Sequence, residues 1–145
     1  PGADSRFYTT PMDSRIYSIG MVGKQTGLSA DTLRYYEKIG LLSNIARTGG
    51  QRRYTQQHLD QLLFIRRAQA MDFSLAEIAQ LLKLRMDPVS SRTEVRSLAE
   101  DKLEAIGQRI KTLRKLQKEL QGLVDTCHQS GPGACPIIKG LEQQE

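Results

Sequence analysis

A regular apolar repeat in the C-terminal half is the feature that most constrains the fold. From about residue 91 to residue 126 the sequence contains no proline, and glycine occurs only at positions 107 and 122. The apolar residues of this segment recur in a heptad pattern, which predicts one long helix of roughly 52 Å. The repeat positions alternate in spacing between four and three and are flanked by Lys and Glu: Ala99, Leu103, Ile106, Ile110, Leu113, Gln117, Leu120 and Val124.

A helix of this length needs a partner for its apolar stripe. The rest of the chain is too small to cover a stripe of about 50 Å, since a 1.5 Å rise per residue carries the helix far beyond a small domain. We therefore expect residues 87–126 to form a dimerisation helix that pairs with a second copy of the chain, rather than to pack within one chain.

The charge of the chain lies in its first part. The net charge is +5, and residues 1–86 carry 12 Lys and Arg against 7 Asp and Glu, whereas residues 87–145 carry 9 of each. This asymmetry favours a nucleic-acid-binding first domain, predicted over residues 16–86. A solvated basic face without a partner would carry the same charge, so the motifs must decide.

A helix-turn-helix pattern opens this basic part. The segment "IGMVGKQTGLSADTLRYYEKIGLL" predicts short helices at about 18–26 and 30–39, with Ser29 as the N-cap of the second and Gly40 directly after its end. Its apolar residues Leu33, Tyr36 and Ile39 are expected in the core. Ordinary helical hairpins share this pattern, which is weak evidence by itself.

A basic hairpin follows, in the segment "SNIARTGGQRRYT" of residues 43–55. Gly49-Gly50 predicts the hairpin tip. A basic hairpin directly after a helix-turn-helix is typical of a wing, and the two features together indicate DNA binding. The wing residues expected to contact DNA are Arg47, Arg52, Arg53 and Tyr54.

Two further helices complete the first domain in the prediction. Thr55 is expected to cap a helix of about residues 56–71, and "SLAE" at residues 74–77 is a capping box that begins a helix reaching about Arg85. Met86-Asp87-Pro88 then interrupts the chain, because proline cannot continue a helix.

The only two cysteines, Cys127 and Cys135, flank Gly131-Pro132-Gly133. In a continuous helix their Cα atoms would lie about 12 Å apart along the axis. Two thiolates that share one ion must lie roughly 4.6 Å apart if the zinc–sulfur length is borrowed. The helix must therefore stop, and the turn folds Cys135 back toward Cys127. A disulfide would use the same loop, so residues 127–145 are expected to form either a metal-binding loop with a short terminal helix or a redox site.

The compartment and the ligand count favour a metal ion. No apolar run approaches the roughly 20 residues of a membrane span and no signal peptide is visible, so we expect a cytoplasmic protein without a membrane partner, where disulfides are rare. Zinc takes four ligands, and the loop offers three at most even with His128. Two soft thiolates suit Cu(I), Ag(I) or Au(I).

The sequence shows no pattern of catalytic residues, so we expect that the protein is not an enzyme. Residues 1–15 are expected to be disordered or a non-native leader.

These motifs resemble the MerR family of transcription regulators. The resemblance covers residues 17–141 and rests on "TLRYYEKIGLL", the wing "RTGGQRRYT", "LLFIRRAQAMDFSLAEIAQLL" and the two-cysteine loop. It implies a mainly α fold: a winged helix-turn-helix domain, a long antiparallel coiled-coil dimerisation helix and a C-terminal metal-binding loop. It also implies a homodimer that bends and untwists promoter DNA when its effector binds, so that RNA polymerase can engage.

The resemblance assigns residues as well. It places Thr32, Arg34 and Tyr35 of the second helix in the major groove, and the wing residues on phosphates. Gln51 stands where the family usually has an aromatic residue, and the wing tip is one residue short.

Within the family, "Cys-x7-Cys-Pro-Ile-Ile" is similar to the CueR-like branch, which responds to copper, silver or gold ions. The family's sensors of divalent ions usually add a cysteine at the start of the dimer helix, where this chain reads "VSSRTEV" at residues 89–95. Cu(I) is the expected effector, bound by Cys127 and Cys135. A sensor of Hg(II) or another divalent ion and a thiol redox sensor are the alternatives.

Overall fold

The computed structural model describes residues 15–143 of the chain. They form two compact units that divide between Pro88 and Val89, and each is described by itself. Among the described residues, no helix combines the length and the apolar character that crossing a membrane requires. The predicted leader, residues 1–15, lies almost wholly outside the described residues.

Helices α1 (Ile19–Thr26) and α2 (Ala30–Lys38) form the predicted helix-turn-helix. Ser18 and Ser29 cap them, and each hydroxyl oxygen accepts a hydrogen bond from the backbone N–H three residues further on. Such a bond satisfies one of the N–H groups that the start of a helix leaves without a partner. Gly40 follows α2 with a φ of 80°, as predicted for a glycine that ends a helix.

The predicted wing is an antiparallel pair of short strands, β1 (Ala46–Thr48) and β2 (Gln51–Arg53). Gly49-Gly50 connects them with φ angles of 59° and 79°. A two-residue turn with two positive φ angles matches the twist of the strands, and glycine adopts it without a steric cost. At the base of the hairpin, the backbones of Tyr17 and Tyr54 exchange two hydrogen bonds of 2.8 and 2.9 Å.

Helices α3 (Gln56–Ala70) and α4 (Leu75–Arg85) follow as predicted. Thr55 and Ser74 open them with capping boxes. Arg66 of α3 donates a hydrogen bond from its guanidinium to the Thr26 carbonyl at the end of α1. This bond ties the turn of the helix-turn-helix to α3.

The core of the first unit lies between these four helices and the base of the wing. Leu33 and Tyr36 are buried, as predicted. The prediction that Ile39 belongs to the core is wrong: its side chain is 45% exposed because it caps the C-terminus of α2 after the last helical turn. The largest fully buried side chains are Tyr54, Leu33, Leu42, Leu62, Ile65, Ile78 and Val22.

The second unit consists of α5 (Arg92–Gln129) and the short helix α6 (Pro136–Glu142). The 38 residues of α5 span about 57 Å. No residue of α5 is buried, so its apolar stripe is open to solvent in the single chain. The helix was predicted to end at Thr126, which is wrong by about one turn, since it continues through Cys127.

Helix α6 packs closely on α5 through a glycine. A Cβ atom at Gly140 would lie 2.8 Å from Cδ2 and 3.0 Å from Cδ1 of Leu123. Any larger residue at this position would force the leucine side chain or α6 to move. This contact helps to hold the start of α6, where Cys135 lies, against the end of α5.

Candidate functional site

The outward face of α2 carries the side chains that the sequence assigned to DNA. Arg34 and Tyr35 are each about half exposed, and Thr32 is half-buried with its hydroxyl 2.8 Å from that of Ser29. The guanidinium of Arg34 lies 3.0 Å from the carboxylate of Asp31, which is almost fully exposed. An exposed ion pair of this kind contributes little to stability, so Arg34 can exchange its partner for a phosphate or a base.

The wing presents a second group of arginines beside α2. Arg47 is exposed, while Arg52 and Arg53 are half-buried. Both Arg47 and Arg52 point at Glu37 in the last turn of α2: Arg52 Nε donates to its Oε2 at 2.6 Å, and Arg47 Nη2 lies 3.6 Å from its Oε1. The hydrogen bond from Arg52 holds the pKa of Glu37 below its usual value, and the same bond raises the pKa of Arg52.

A cleft of about 410 Å³ separates the two arginine-bearing elements. It is lined by the first turn of α1, by Arg34 of α2 and by the wing from Gly50 to Arg52. The N–H groups at a helix start and guanidinium groups both attract anions. The structure therefore brings Arg34 and Arg52, which are distant in the sequence, to the walls of one cleft.

Tyr54 does not belong to this surface, and its predicted contact with DNA is wrong. Its side chain is fully buried, and among the described residues its hydroxyl has no hydrogen-bond partner. Burial raises the pKa of this hydroxyl. The alternation of side chains around the hairpin directs Tyr54 inward, where its ring meets that of His58 edge to face at 6.0 Å. Tyr54 is a core residue that anchors the wing.

Replacing Tyr54 by phenylalanine is expected to stabilise the protein by about 1 kcal/mol. A buried hydroxyl without a partner loses its hydrogen bonds to water and gains none in the protein. Urea denaturation of Tyr54→Phe measures this, and its affinity for DNA is expected to stay unchanged. Tyr17→Phe is the matched control, since that hydroxyl donates to Gln56 Oε1 at 2.8 Å and its loss should destabilise. A Tyr54→Phe protein less stable than the wild type would contradict the assignment.

The two cysteines meet in the second unit. Cys127 lies in the last turn of α5 and Cys135 directly before α6, and Ser130 between them has the extended backbone that ends the helix. Both side chains are half-buried and both are free thiols, and each alters the pKa of the other, as neighbouring thiols do. That the Gly-Pro-Gly turn brings the two sulfurs together on one ion stays a prediction.

The surroundings of the thiols distinguish the two sulfur atoms. The backbone N–H groups of Ile138 and Ile137, in the first turn of α6, lower the pKa of Cys135. The hydrogen bond with Cys135, and then its charge, raise the pKa of Cys127. The pair thus holds one proton more tightly than the other, with the negative charge favoured on Cys135. A thiolate is the form in which cysteine binds a metal ion.

The donor set around the pair is small. Among residues 15–143, no cluster of three or more His, Cys, Asp or Glu side chains is placed to hold a metal ion. His128 neighbours Cys127 in sequence but is exposed. Two neighbouring thiols would fit a soft ion that takes two thiolate ligands. They do not by themselves fit the four-ligand shell of structural zinc.

A helix-turn-helix followed by an arginine-bearing wing defines a winged helix-turn-helix DNA-binding domain, here followed by a long helix and a two-thiol loop. Comparison with known proteins identifies the family. Residues 17–84 match the family described as MerR HTH family regulatory protein, and residues 59–123 match the one described as MerR, DNA binding.

Individual relatives match over nearly the whole chain. The regulator ZntR of Escherichia coli (strain K12) is 37% identical over 132 residues, which cover 88% of this chain and 94% of ZntR. CueR of Escherichia coli O6:H1 is 35% identical over 125 residues, covering 86% and 93%. The crystal structure of PbrR691 from Ralstonia metallidurans CH34, in complex with lead(II), has 40% identity and a TM-score of 0.70, covering 85% of this chain and 97% of that one.

The protein therefore belongs to the MerR family of DNA-binding transcription regulators, and it is not an enzyme. The predicted fold class is confirmed in its helix-turn-helix, two-stranded wing and long C-terminal helix. The predicted CueR-like branch is not distinguished, because ZntR and CueR are almost equally similar to this chain.

Proposed function

We propose that this protein is a homodimeric transcription activator that senses a soft monovalent ion, Cu(I), Ag(I) or Au(I), through Cys127 and Cys135. Its targets would be genes for the efflux or detoxification of that ion. The observation that carries the proposal is the close packing of α6 on α5 at Gly140 and Leu123, with Cys127 at the end of one helix and Cys135 directly before the other. Cu(I) is the ion that we favour.

The number of thiols supports a monovalent ion. Both cysteines of the chain lie in this loop, so no cysteine from another segment of the sequence can join them as a ligand. Two soft sulfur ligands suit a linear d¹⁰ ion, whereas divalent ions generally take more donors. The lead(II) complex of PbrR691 keeps a divalent ion as the first alternative for this chain. Among divalent ions, Hg(II) is the strongest alternative, because it also binds two thiolates.

A redox sensor is the second alternative. The same two thiols could form a Cys127–Cys135 disulfide in place of a metal site, since a turn that lets two sulfurs touch serves both. The protein is expected in the cytoplasm, where thiols are kept reduced and structural disulfides are rare. This expectation favours the metal ion over the disulfide.

In the proposed DNA complex, α2 enters the major groove and the wing lies along the backbone. Thr32, Arg34 and Tyr35 would face the bases and phosphates of the groove. Arg47, Arg52 and Arg53 would contact phosphates, which position the protein without reading the sequence.

The long helix α5 would join two copies in an antiparallel coiled coil, so that two DNA-binding units address one promoter. The ion would favour the state of the dimer that bends and untwists the duplex, which lets RNA polymerase engage. Cys127 and Cys135 would hold the ion, which would supply a link between α5 and α6. Helix α6 holds Cys135 beside the end of α5.

One combined experiment tests this function. The reduced protein is mixed, without oxygen, with a duplex that it has selected from a random-sequence library, and transcription from a promoter carrying that sequence is measured with and without Cu(I). Binding in both states with transcription only in the presence of Cu(I), Ag(I) or Au(I) is expected. Transcription that responds to Zn(II) or Pb(II) alone would exclude the monovalent assignment, and a response to oxidant without metal would favour the redox sensor.

A further inference from the structure

The wing carries two like charges directly opposite each other. Arg47 of β1 and Arg52 of β2 are partners in the strand register. Like charges at directly opposite positions destabilise a strand pair. A hairpin with three residues in each strand is also marginal by itself, and all three residues of β1 are exposed. The backbone pairing of Tyr17 with Tyr54 anchors the base of the hairpin, but the repulsion between Arg47 and Arg52 needs a further contact to offset it.

The carboxylate of Glu37, at the end of α2, contacts an arginine from each strand of the wing. Its two oxygens contact different arginines. Oε2 accepts a hydrogen bond from Nε of Arg52 at 2.6 Å, and Oε1 lies 3.6 Å from Nη2 of Arg47. The side chains of Glu37 and Arg52 are only 24% and 23% exposed. One carboxylate thus offsets the repulsion between two guanidinium groups and links α2 to both strands of the wing.

The location of this carboxylate is unfavourable for DNA affinity. It lies within the surface that is proposed to contact phosphates. A negative charge there repels the duplex and competes with the phosphates for Arg47 and Arg52. The local charge around Glu37 would be more positive without it. The contribution of Glu37 must then lie in geometry and not in attraction.

We propose that Glu37 is a specificity-determining positioning residue, which fixes the wing relative to α2 so that both elements meet one duplex in a single register. This inference rests on the proposed DNA-binding face. With Glu37 in place, Arg47 and Arg52 can contact phosphates only where Arg34 and Tyr35 reach the correct bases. Without it, the wing can follow the backbone of any duplex, and binding loses sequence discrimination while keeping or gaining overall affinity.

Two substitutions separate position from charge. Glu37→Gln removes the charge that both arginines contact, while Glu37→Asp keeps the charge but is too short to reach both arginines. Asp31→Asn is the matched charge control, because Asp31 lies on the same helix, is 95% exposed and makes its ion pair with Arg34 rather than with the wing. Circular dichroism confirms that each variant folds.

The first readout is hydrogen exchange of the free protein. The backbone amides of residues 46–53 are expected to exchange about tenfold faster in Glu37→Gln and Glu37→Asp than in the wild type, since a charge-assisted hydrogen bond of limited exposure is lost. They should be unchanged in Asp31→Asn. Wing amides that exchange at the wild-type rate in both Glu37 variants would overturn the proposal.

The second readout is the affinity ratio between the duplex selected by the wild type and a shuffled duplex of equal composition. Both Glu37 variants should lower this ratio about tenfold, and Glu37→Gln should also bind the shuffled duplex more tightly than Glu37→Asp does. An unchanged ratio would overturn the proposal. If the wild type selects no duplex, the proposed function fails and takes the specificity role with it, while the exchange rates still report whether Glu37 holds the wing.

Discussion

Replacing either Cys127 or Cys135 by serine is expected to lower the affinity for Cu(I) by more than about 100-fold. Loss of a residue that merely supports a metal ligand costs 10–100-fold, and here one of only two ligands is removed. A serine hydroxyl is a hard donor that keeps its proton at neutral pH, so it cannot replace a thiolate. The measurement is an anaerobic titration of the reduced protein under a competing chelator, repeated with Ag(I), Hg(II) and Zn(II).

His128→Gln is the matched control for this titration. His128 is the neighbour of Cys127 and is exposed at the end of α5, and we expect the variant to bind like the wild type. An equal loss of affinity in His128→Gln would make the histidine a third ligand and would favour a divalent ion. Wild-type affinity in both serine variants would exclude the thiols as the effector site. Tight binding of Hg(II) alone decides nothing, because any pair of thiols attracts it.

The redox alternative is tested on the same protein. Mass spectrometry of the chain taken from a reducing cell extract is expected to find both thiols intact. A mass lower by two hydrogens, which disappears in the serine variants, would place a disulfide there and shift the assignment to redox sensing.

The fold of the first unit could be predicted because its signals are local. Ser29, Thr55 and Ser74 each satisfy a backbone N–H within their own helix start, and Gly49-Gly50 adopts a turn that few other residue pairs tolerate. Such signals act over three or four residues and do not depend on tertiary packing. The break between α5 and α6 could be predicted for a related reason, since the Gly-Pro-Gly segment between Cys127 and Cys135 cannot continue a helix.

The errors fall where the outcome depends on packing or on distant partners. Tyr54 looks like a DNA-contacting residue beside three arginines, but its side of the hairpin faces the core. Glu37 reads as an ordinary charge on a helix surface, because its partners lie 10 and 15 positions further along the chain. The end of α5 at Gln129 was missed because no glycine or proline lies between Gly122 and Gly131 and helix ends carry weak signals.

Leu113→Glu is expected to convert the proposed dimer into a monomer. Leu113 is 57% exposed in the single chain although it occupies the centre of the apolar stripe, together with Ile110 and Leu120. A glutamate buried there without a partner costs several kcal/mol, and a symmetric dimer contains it twice. We expect dimerisation to weaken at least about 100-fold, which sedimentation equilibrium measures directly.

Loss of the dimer should also remove DNA binding at a two-fold operator, because one copy reaches only one half-site. Gln108→Glu is the matched control: it adds the same charge to an exposed position five residues earlier, on the opposite face of α5 by helical periodicity. This control should remain a dimer and bind the selected duplex like the wild type. A Leu113→Glu protein that dimerises as strongly as the control would exclude the stripe of α5 as the interface. The long helix would then need another partner, and the proposed communication between two DNA-binding units would lose its physical basis.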